Sequence, residues 1–293
     1  MKVSGFTFIR NGIQYDYPFL ESIQSILPIC DEMVIAVGNC SDGTREAIMN
    51  IQSPKIKIID TVWDDSLREG GKVLAVETNK AFDAISVDAD WCFYIQGDEV
   101  FHQDDLPKIK QGMEKYLTDK NVEGLVFNHI NFFASYDYMA DSRSWVKNEV
   151  RVVRNNKNIR SWKDAMSFRI DGERKLKCKY IDATIYHYGW VKHPATQKLK
   201  REVFDKLWHD DDWIKNNYSS TDAEFDYQSV DSLAPFIGTH PAIMQPRIDK
   251  MNWKFTYDPT TKVKKLKLKY RLIAWLETIV GKPLGRFKNY DLI

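Results

Sequence analysis

The chain has 293 residues, of which 43% are hydrophobic and 28% charged, with a formal net charge of +1. A chain of this kind can bury a substantial core as one large domain or two modest ones, which excludes intrinsic disorder. Its near-zero net charge provides no global field for nucleic acid, and none is expected as a partner.

Residues 3–9 read as a first strand, closed by Asn11-Gly12. Pro18 then suits the first turn of a helix through FLESIQSIL. MVIAV is a second strand, running into the turn-forming loop GNCSDGT, in which Ser41 or Asp42 caps the helix REAIMNI. KIKIID is a third strand, residues 72–85 are a helix, and WCFYI is a fourth strand. Strand and helix thus alternate through the first ~100 residues, the pattern of a parallel sheet with helices on both faces.

Beyond Asp105 a helix is expected to about Tyr116. EGLVFNHINFF, NEVRVVRN and IYHYGWV read as further strands of a mixed sheet, and PATQKLKREVFDKLW as a helix. Residues 209–232 are acidic and irregular, and are expected to form a surface loop or lid. The last predicted helix, KVKKLKLKYRLIAWLETIV, is basic and then apolar. It either docks on the domain with its lysines solvated or meets an anionic membrane surface through its apolar face.

The cysteines Cys30, Cys40, Cys92 and Cys178 form no C-x-x-C pair. They read as reduced thiols in a cytoplasmic setting rather than a disulfide scaffold or zinc site. The apolar run in MKVSGFTFIRNG is too short for a signal peptide, and no run reaches the ~18 apolar residues that span a bilayer.

The stretch DWCFYIQGDEVF carries the chemistry. A buried strand ends in Gly97 and two adjacent carboxylates, Asp98 and Glu99. In parallel sheets ligands bind beyond the carboxyl ends of the strands. A carboxylate there can simply cap the next turn. It can also hold a hard divalent cation against phosphate oxygens, with the glycine admitting the ligand to the backbone. The loop AVGNCSDGTRE lies on the same edge, and has neither the dinucleotide fingerprint nor the P-loop spacing.

FTFIRNG, VIAVGNCSDGTRE, KVLAVETNKA and WCFYIQGDEV, in that order, resemble the family 2 nucleotide-sugar glycosyltransferases of the GT-A fold. The likeness covers roughly residues 1–190 and implies a mixed, mostly parallel α/β sheet flanked by helices. Residues 191–293 would be a mostly helical extension packed on it or continuous with it. Asp98 matches the last aspartate of the family's acidic motif, which holds a divalent cation, Mn or Mg, on the donor diphosphate. Gln96 replaces the first aspartate and would bond a ribose or uracil without adding charge; Gly97 lies between them. Val37 and Gly38 stand where the family usually has a base-contacting aspartate. Arg10 and Asn11 match the end of the first strand beside base and ribose, and Asp42 lies in the loop facing the nucleotide. Lys72 matches a basic position that contacts the diphosphate in some members, or is an ordinary solvated lysine.

Among six histidines, His187 matches the late histidine that many GT-A enzymes give to the same cation; a hydrogen-bonded histidine among aromatics is the other reading. His102, His129, His193, His209 and His240 read as structural or surface groups. Inverting transfer needs a carboxylate to take the acceptor proton. Asp164, beside a Trp162 able to stack on a sugar, is the expected base, with Glu149 in reserve. The implied reaction moves a sugar from a nucleotide-sugar donor to a glycan or lipid-linked acceptor. A sugar nucleotidyltransferase and a catalytically inactive nucleotide-sugar-binding module are the rival readings.

Overall fold

The computed structural model describes residues 1–218, 224–258, 268–280 and 288–293. The first half alternates as expected: β1 (Val3–Ile9), α1 (Phe19–Ile26), β2 (Glu32–Val37), α2 (Thr44–Met49), β3 (Ile56–Asp60), α3 (Lys72–Asp83) and β4 (Trp91–Tyr94). Next come β5 (Glu99–Phe101), α4 (Leu106–Lys115), β6 (Gly124–Phe133), β7 (Ser135–Ala140), β8 (Asn148–Arg154), β9 (Ile159–Trp162), β10 (Ser167–Ile170) and β11 (Arg174–Trp190). The last third adds α5 (Pro194–Asp205), α6 (Asp211–Asn217), β12 (Leu233–Pro235), α7 (Gln245–Asp249), α8 (Leu268–Val280) and β13 (Tyr290–Leu292).

The main path of the sheet runs β3-β2-β1-β4-β8-β6-β11-β10-β9. β1 to β4 pair in parallel, whereas β8 is antiparallel to both β4 and β6, so the α/β sheet is mixed. The period-2 alternation of a strand divides the apolar residues between two cores. Ile9, Ile35, Trp91 and Phe93 pack under α1 with Phe19, Ile23 and Ile26. On the other face, Phe6, Val34, Ala36 and Tyr94 pack under α3 with Val73, Ala81 and Phe82.

The last third returns to the same sheet: β13 pairs with β11, and β12 with β7. Residues 209–232 are not simply a loop. Asp210 accepts the Trp213 N–H at 2.8 Å and, with Asp211 and Asp212 in the first turn, starts α6 inside the acidic run. In α8, Leu272, Trp275, Leu276, Ile279 and Val280 are exposed, and Glu277 pairs with Arg143. Residues 262–267 of the basic segment lie outside the described residues. Among the described residues no helix is long and apolar enough to cross a membrane.

Candidate functional site

A cavity of about 670 Å³ opens beyond the carboxyl ends of β1 and β4, within the range of small-molecule sites. Its lining includes Arg10, Asn11, Gln96, Gly97, Asp98, His129, Asn131, Glu149, Arg151, Asp164 and His187, with Gln197, Lys200 and Arg201 from α5. Strands β1, β6, β8 and β11, the turns after β4 and β9, and helices α3, α5 and α6 all contribute to the lining.

The turn after β4 separates the two adjacent carboxylates. Glu99 begins β5, whose pairing with β11 sets Glu99 opposite His187 and leads the chain inward. Arg151 donates to both Glu99 oxygens, at 2.6 and 2.7 Å. Burial opposes its charge, but Arg151 and His129 together outweigh burial and hold the Glu99 carboxyl down at about 2. Glu99 is thus a buried structural anion, and the Asp98–Glu99 pair does not act as one chelate.

Asp98 faces the cavity. Its backbone carbonyl accepts the Tyr188 N–H at 2.8 Å, which brings its side chain beside the end of β11. Asp98 Oδ2 lies 3.5 Å from His187 Nε2. His187 Nδ1 is 3.0 Å from Asn131 Oδ1, and the Asn131 amide nitrogen donates to the Val146 carbonyl at 2.9 Å. That orientation makes Nδ1–H the donor to Asn131, so Nε2 is left either to donate to Asp98 as the imidazolium or, in the neutral ring, to offer its lone pair to a cation. A Cβ built on Gly189 would fall 2.5 Å from Nε2 and 2.6 Å from Oδ2, so this glycine keeps the space between them clear. One carboxylate oxygen and one imidazole nitrogen around a cleared space fit a divalent cation whose other positions are taken by ligand oxygens. Among the described residues no group of three or more His, Cys, Asp or Glu forms a complete metal cage. Burial opposes the Asp98 charge, but His187, Lys200 and Lys192 outweigh it and hold the carboxyl far below its usual range.

The nucleotide-side expectations divide. Arg10 lies on the lining, paired with Asp65 at 2.6 Å and with its guanidinium 5.4 Å from the Trp63 ring centroid. Asn11 also lies there; its Oδ1 accepts the Ser41 N–H at 3.0 Å and ties the two loops. The Gln96 amide donates to the Ala165 carbonyl at 3.1 Å, so it braces the β9–β10 turn. A Cβ on Gly97 would meet Ile9 at 3.0 Å, so Gly97 serves close packing of β4 against β1. Asp42 spends its oxygens on backbone and loop groups, accepting from the Thr44 hydroxyl at 2.6 Å in its own loop and from the Gln14 N–H of the β1–α1 loop at 2.7 Å. Asp42 is not among the lining residues; nor is Lys72, which is exposed at the start of α3.

The acceptor-side carboxyls, Asp164 and Glu149, both line the cavity. Asp164 sits in the β9–β10 turn between Lys163 and Ala165, whose φ values of 54° and 62° are left-handed. Such backbone is uncommon away from glycine and persists where surrounding structure holds it. Gly71, with φ 67°, lets the start of α3 lie against this turn; a Cβ there would come 2.8 Å from Asp164 Cβ. Burial raises the Asp164 carboxyl above its usual range. Glu149 is more deeply buried, and burial pushes it up to about 8, although Arg151 Nη1 lies 3.7 Å away. Trp162 is not part of the lining. Its ring carries the Arg169 guanidinium at 4.0 Å and the Lys163 ammonium at 4.3 Å.

Several lining groups escape the motif-based reading. Trp63 Nε1, Arg68 Nη2, His129 Nδ1, Glu149 Oε2 and both Gln197 amide atoms are buried without a hydrogen-bond partner among the described residues. Buried polar atoms are normally paired, and this concentration in one cavity marks a place for a polar ligand or ordered water. His129 lines the candidate site: burial pushes it down to about 4, and the neutral ring uses Nε2–H toward Glu99 at 3.3 Å while Nδ1 is left as an acceptor without a partner among the described residues. No motif announces these groups; only the alternation of β6, which points His129 and Asn131 to one side, was available as a signal.

No family model matches the chain, and no curated protein does. Among solved structures, it is similar to Staphylococcus aureus TarS at 11% identity and TM-score 0.39, covering 70% of this chain and 39% of TarS. The chain thus spans well under half of that protein. It is also similar to 4-diphosphocytidyl-2C-methyl-D-erythritol synthase from Anaerococcus prevotii, at 9% identity and TM-score 0.37 over 70% of this chain and 94% of that one. A third is glucosyl-3-phosphoglycerate synthase from Mycobacterium tuberculosis, solved with Mg²⁺ and uridine diphosphate. There the identity is 14% and the TM-score 0.30, over 45% of this chain and 43% of that one.

Proposed function

We propose that this chain transfers a sugar from a nucleoside-diphosphate sugar to a hydroxyl acceptor with inversion. The observation that carries the reading is the single cavity in which the Asp98–His187 seat, the cations of β1 and α5 and two high-pKa carboxyls converge. The nucleoside would lie along Arg10, Asn11 and Trp63, with its diphosphate toward Asp98, His187 and Lys200.

A divalent cation held by Asp98 and His187 would supply electrostatic stabilisation of the departing diphosphate. Asn131 fixes the His187 ring for that task, and Gly189 keeps the seat open. Asp164 accepts the acceptor's hydroxyl proton as that oxygen bonds to the anomeric carbon and the bond to the diphosphate oxygen breaks. Its raised basicity suits a proton acceptor. Glu149, held at about 8, keeps its proton at neutral pH and is the weaker choice of base. A lipid-linked acceptor for a surface glycan would place the enzyme at an anionic membrane face, where the exposed apolar residues of α8 and the adjoining lysines could dock.

The test is turnover with a panel of nucleotide sugars and Mn²⁺, following nucleoside-diphosphate release and sugar transfer or hydrolysis. Release from one donor supports the reading. Pyrophosphate release from a nucleoside triphosphate and a sugar 1-phosphate would replace it with nucleotidyl transfer, and binding with neither reaction would leave a binding module.

A further inference from the structure

A lysine beside a cation seat needs a reason. Lys200, on α5, donates from Nζ to the Gly189 carbonyl at 2.8 Å and lies 3.5 Å from Asp98 Oδ2. Its side chain is only 12% exposed. Its ammonium lies 4.7 Å from the Tyr17 ring centroid, and Lys192 lies at the same distance from that ring. Lys192 is fully buried and donates to the Asp16 carbonyl, so it is held away from Asp98, whereas Lys200 reaches it. The Lys200 tether is the carbonyl of Gly189, the same residue whose missing side chain clears the space between Asp98 and His187.

We propose that Lys200 is the internal counter-cation of Asp98. It balances the carboxylate before a divalent cation enters, withdraws when one does, and then bonds the donor's diphosphate. The inference rests on the cation reading above and adds a charge exchange to it. A nearly buried carboxylate left without a positive partner is costly, so Asp98 needs one in every state of the site. An ammonium and a divalent cation on the same carboxylate oxygen repel strongly. The four-carbon stem of lysine allows the ammonium to leave, and Lys200 lines the cavity into which it would swing. A diphosphate gives the displaced ammonium a new partner. Metal and nucleoside diphosphate therefore help each other to bind, and by linkage each tightens the other by the same factor.

The experiment measures Mn²⁺ binding by electron paramagnetic resonance, with and without UDP or GDP, in the wild type, Lys200→Met and Lys200→Gln. The wild type should bind Mn²⁺ weakly alone and at least tenfold more tightly with the nucleotide it accepts. Lys200→Met should bind Mn²⁺ alone at least tenfold more tightly than the wild type, and the nucleotide-induced tightening should shrink by a similar factor. Lys200→Gln keeps a donor for the Gly189 carbonyl without the charge; it should behave like Lys200→Met and guards against a folding defect, read from melting temperature. Unchanged or weaker Mn²⁺ binding in folded variants would overturn the role of Lys200 and leave the cation seat standing. Additive binding of Mn²⁺ and nucleotide in the wild type would overturn it too. If Mn²⁺ binds none of the three proteins, with or without nucleotide, the cation reading itself fails and takes this proposal with it.

Discussion

Asp98 and Glu149 line the same cavity and meet opposite electrostatic conditions. Around Asp98, burial is opposed by His187, Lys200 and, at longer range, Lys192, which together keep it ionised. On β8, burial dominates: Glu149 rises to about 8, and Asp164 in the neighbouring turn also rises. Arg151, on the same strand as Glu149, gives its two short bonds to Glu99, leaving Glu149 Oε2 without a hydrogen bond. Under the proposed function this contrast would divide the labour: the groups around Asp98 would manage the charge of the donor, and Asp164, with its raised carboxyl, would take a proton.

The strongest way to break the contrast is to remove the proton acceptor. Asp164→Asn should lower transfer by ~10²–10⁴, the usual scale of general base catalysis, with nucleotide and Mn²⁺ binding intact. If Asp164→Asn turns over normally and Glu149→Gln does not, the base is Glu149. Asp98→Asn should cost ~10²-fold or more while the melting temperature stays close to that of the wild type, because a key electrostatic contact is lost from an isosteric side chain. Near-normal turnover of that variant, or indifference of the wild type to EDTA, would remove Asp98 from the reaction.

A subtler effect separates the two carboxyls by pH. The Glu149 carboxyl titrates at about 8 in the folded chain and near ~4.3 when unfolded. Between these values the unfolded chain has lost the proton while the folded chain retains it, so stability falls as pH rises through the window. Glu149→Gln cannot ionise and escapes that fall. Its stability relative to the wild type should rise from pH 5 to pH 8 with a slope of up to about 1.4 kcal/mol per pH unit. Chemical denaturation across that range checks it, and a flat difference would show that Glu149 ionises normally.

The smallest expected effect lies outside the cavity. Replacing both Trp275 and Ile279 on the exposed face of α8 with serine should weaken flotation with anionic vesicles a few-fold at low salt. Truncation is the wrong tool, because β13 beyond this helix pairs with β11. Equal flotation of the variant would assign the face no role at membranes.

Legibility followed the range of the interactions. The alternation through β4 was readable because each strand and helix carries its own period, and Asp98 was readable because it ends an apolar strand. Glu99 looked like its twin in sequence, yet its fate is set by Arg151, 52 positions away. Strands β5, β9, β10 and β13 are short and owe their state to pairing with distant segments, which no local pattern announces. Asp42 lies in a loop at the carboxyl edge of β2, but Thr44 of its own loop and Gln14 of the β1–α1 loop consume its oxygens. Lys200 and Gln197 reach the site because α5 follows directly on β11; in sequence they are polar residues of an amphipathic helix.

The central claim is that donor charge is received between Asp98 and His187. A crystal soaked with Mn²⁺ and UDP or GDP tests it by anomalous scattering. The account predicts one manganese peak about 2.0–2.2 Å from Asp98 Oδ2 and His187 Nε2, with diphosphate oxygens completing its shell. A nucleotide bound with its diphosphate elsewhere, or a manganese peak that avoids both residues, would contradict it.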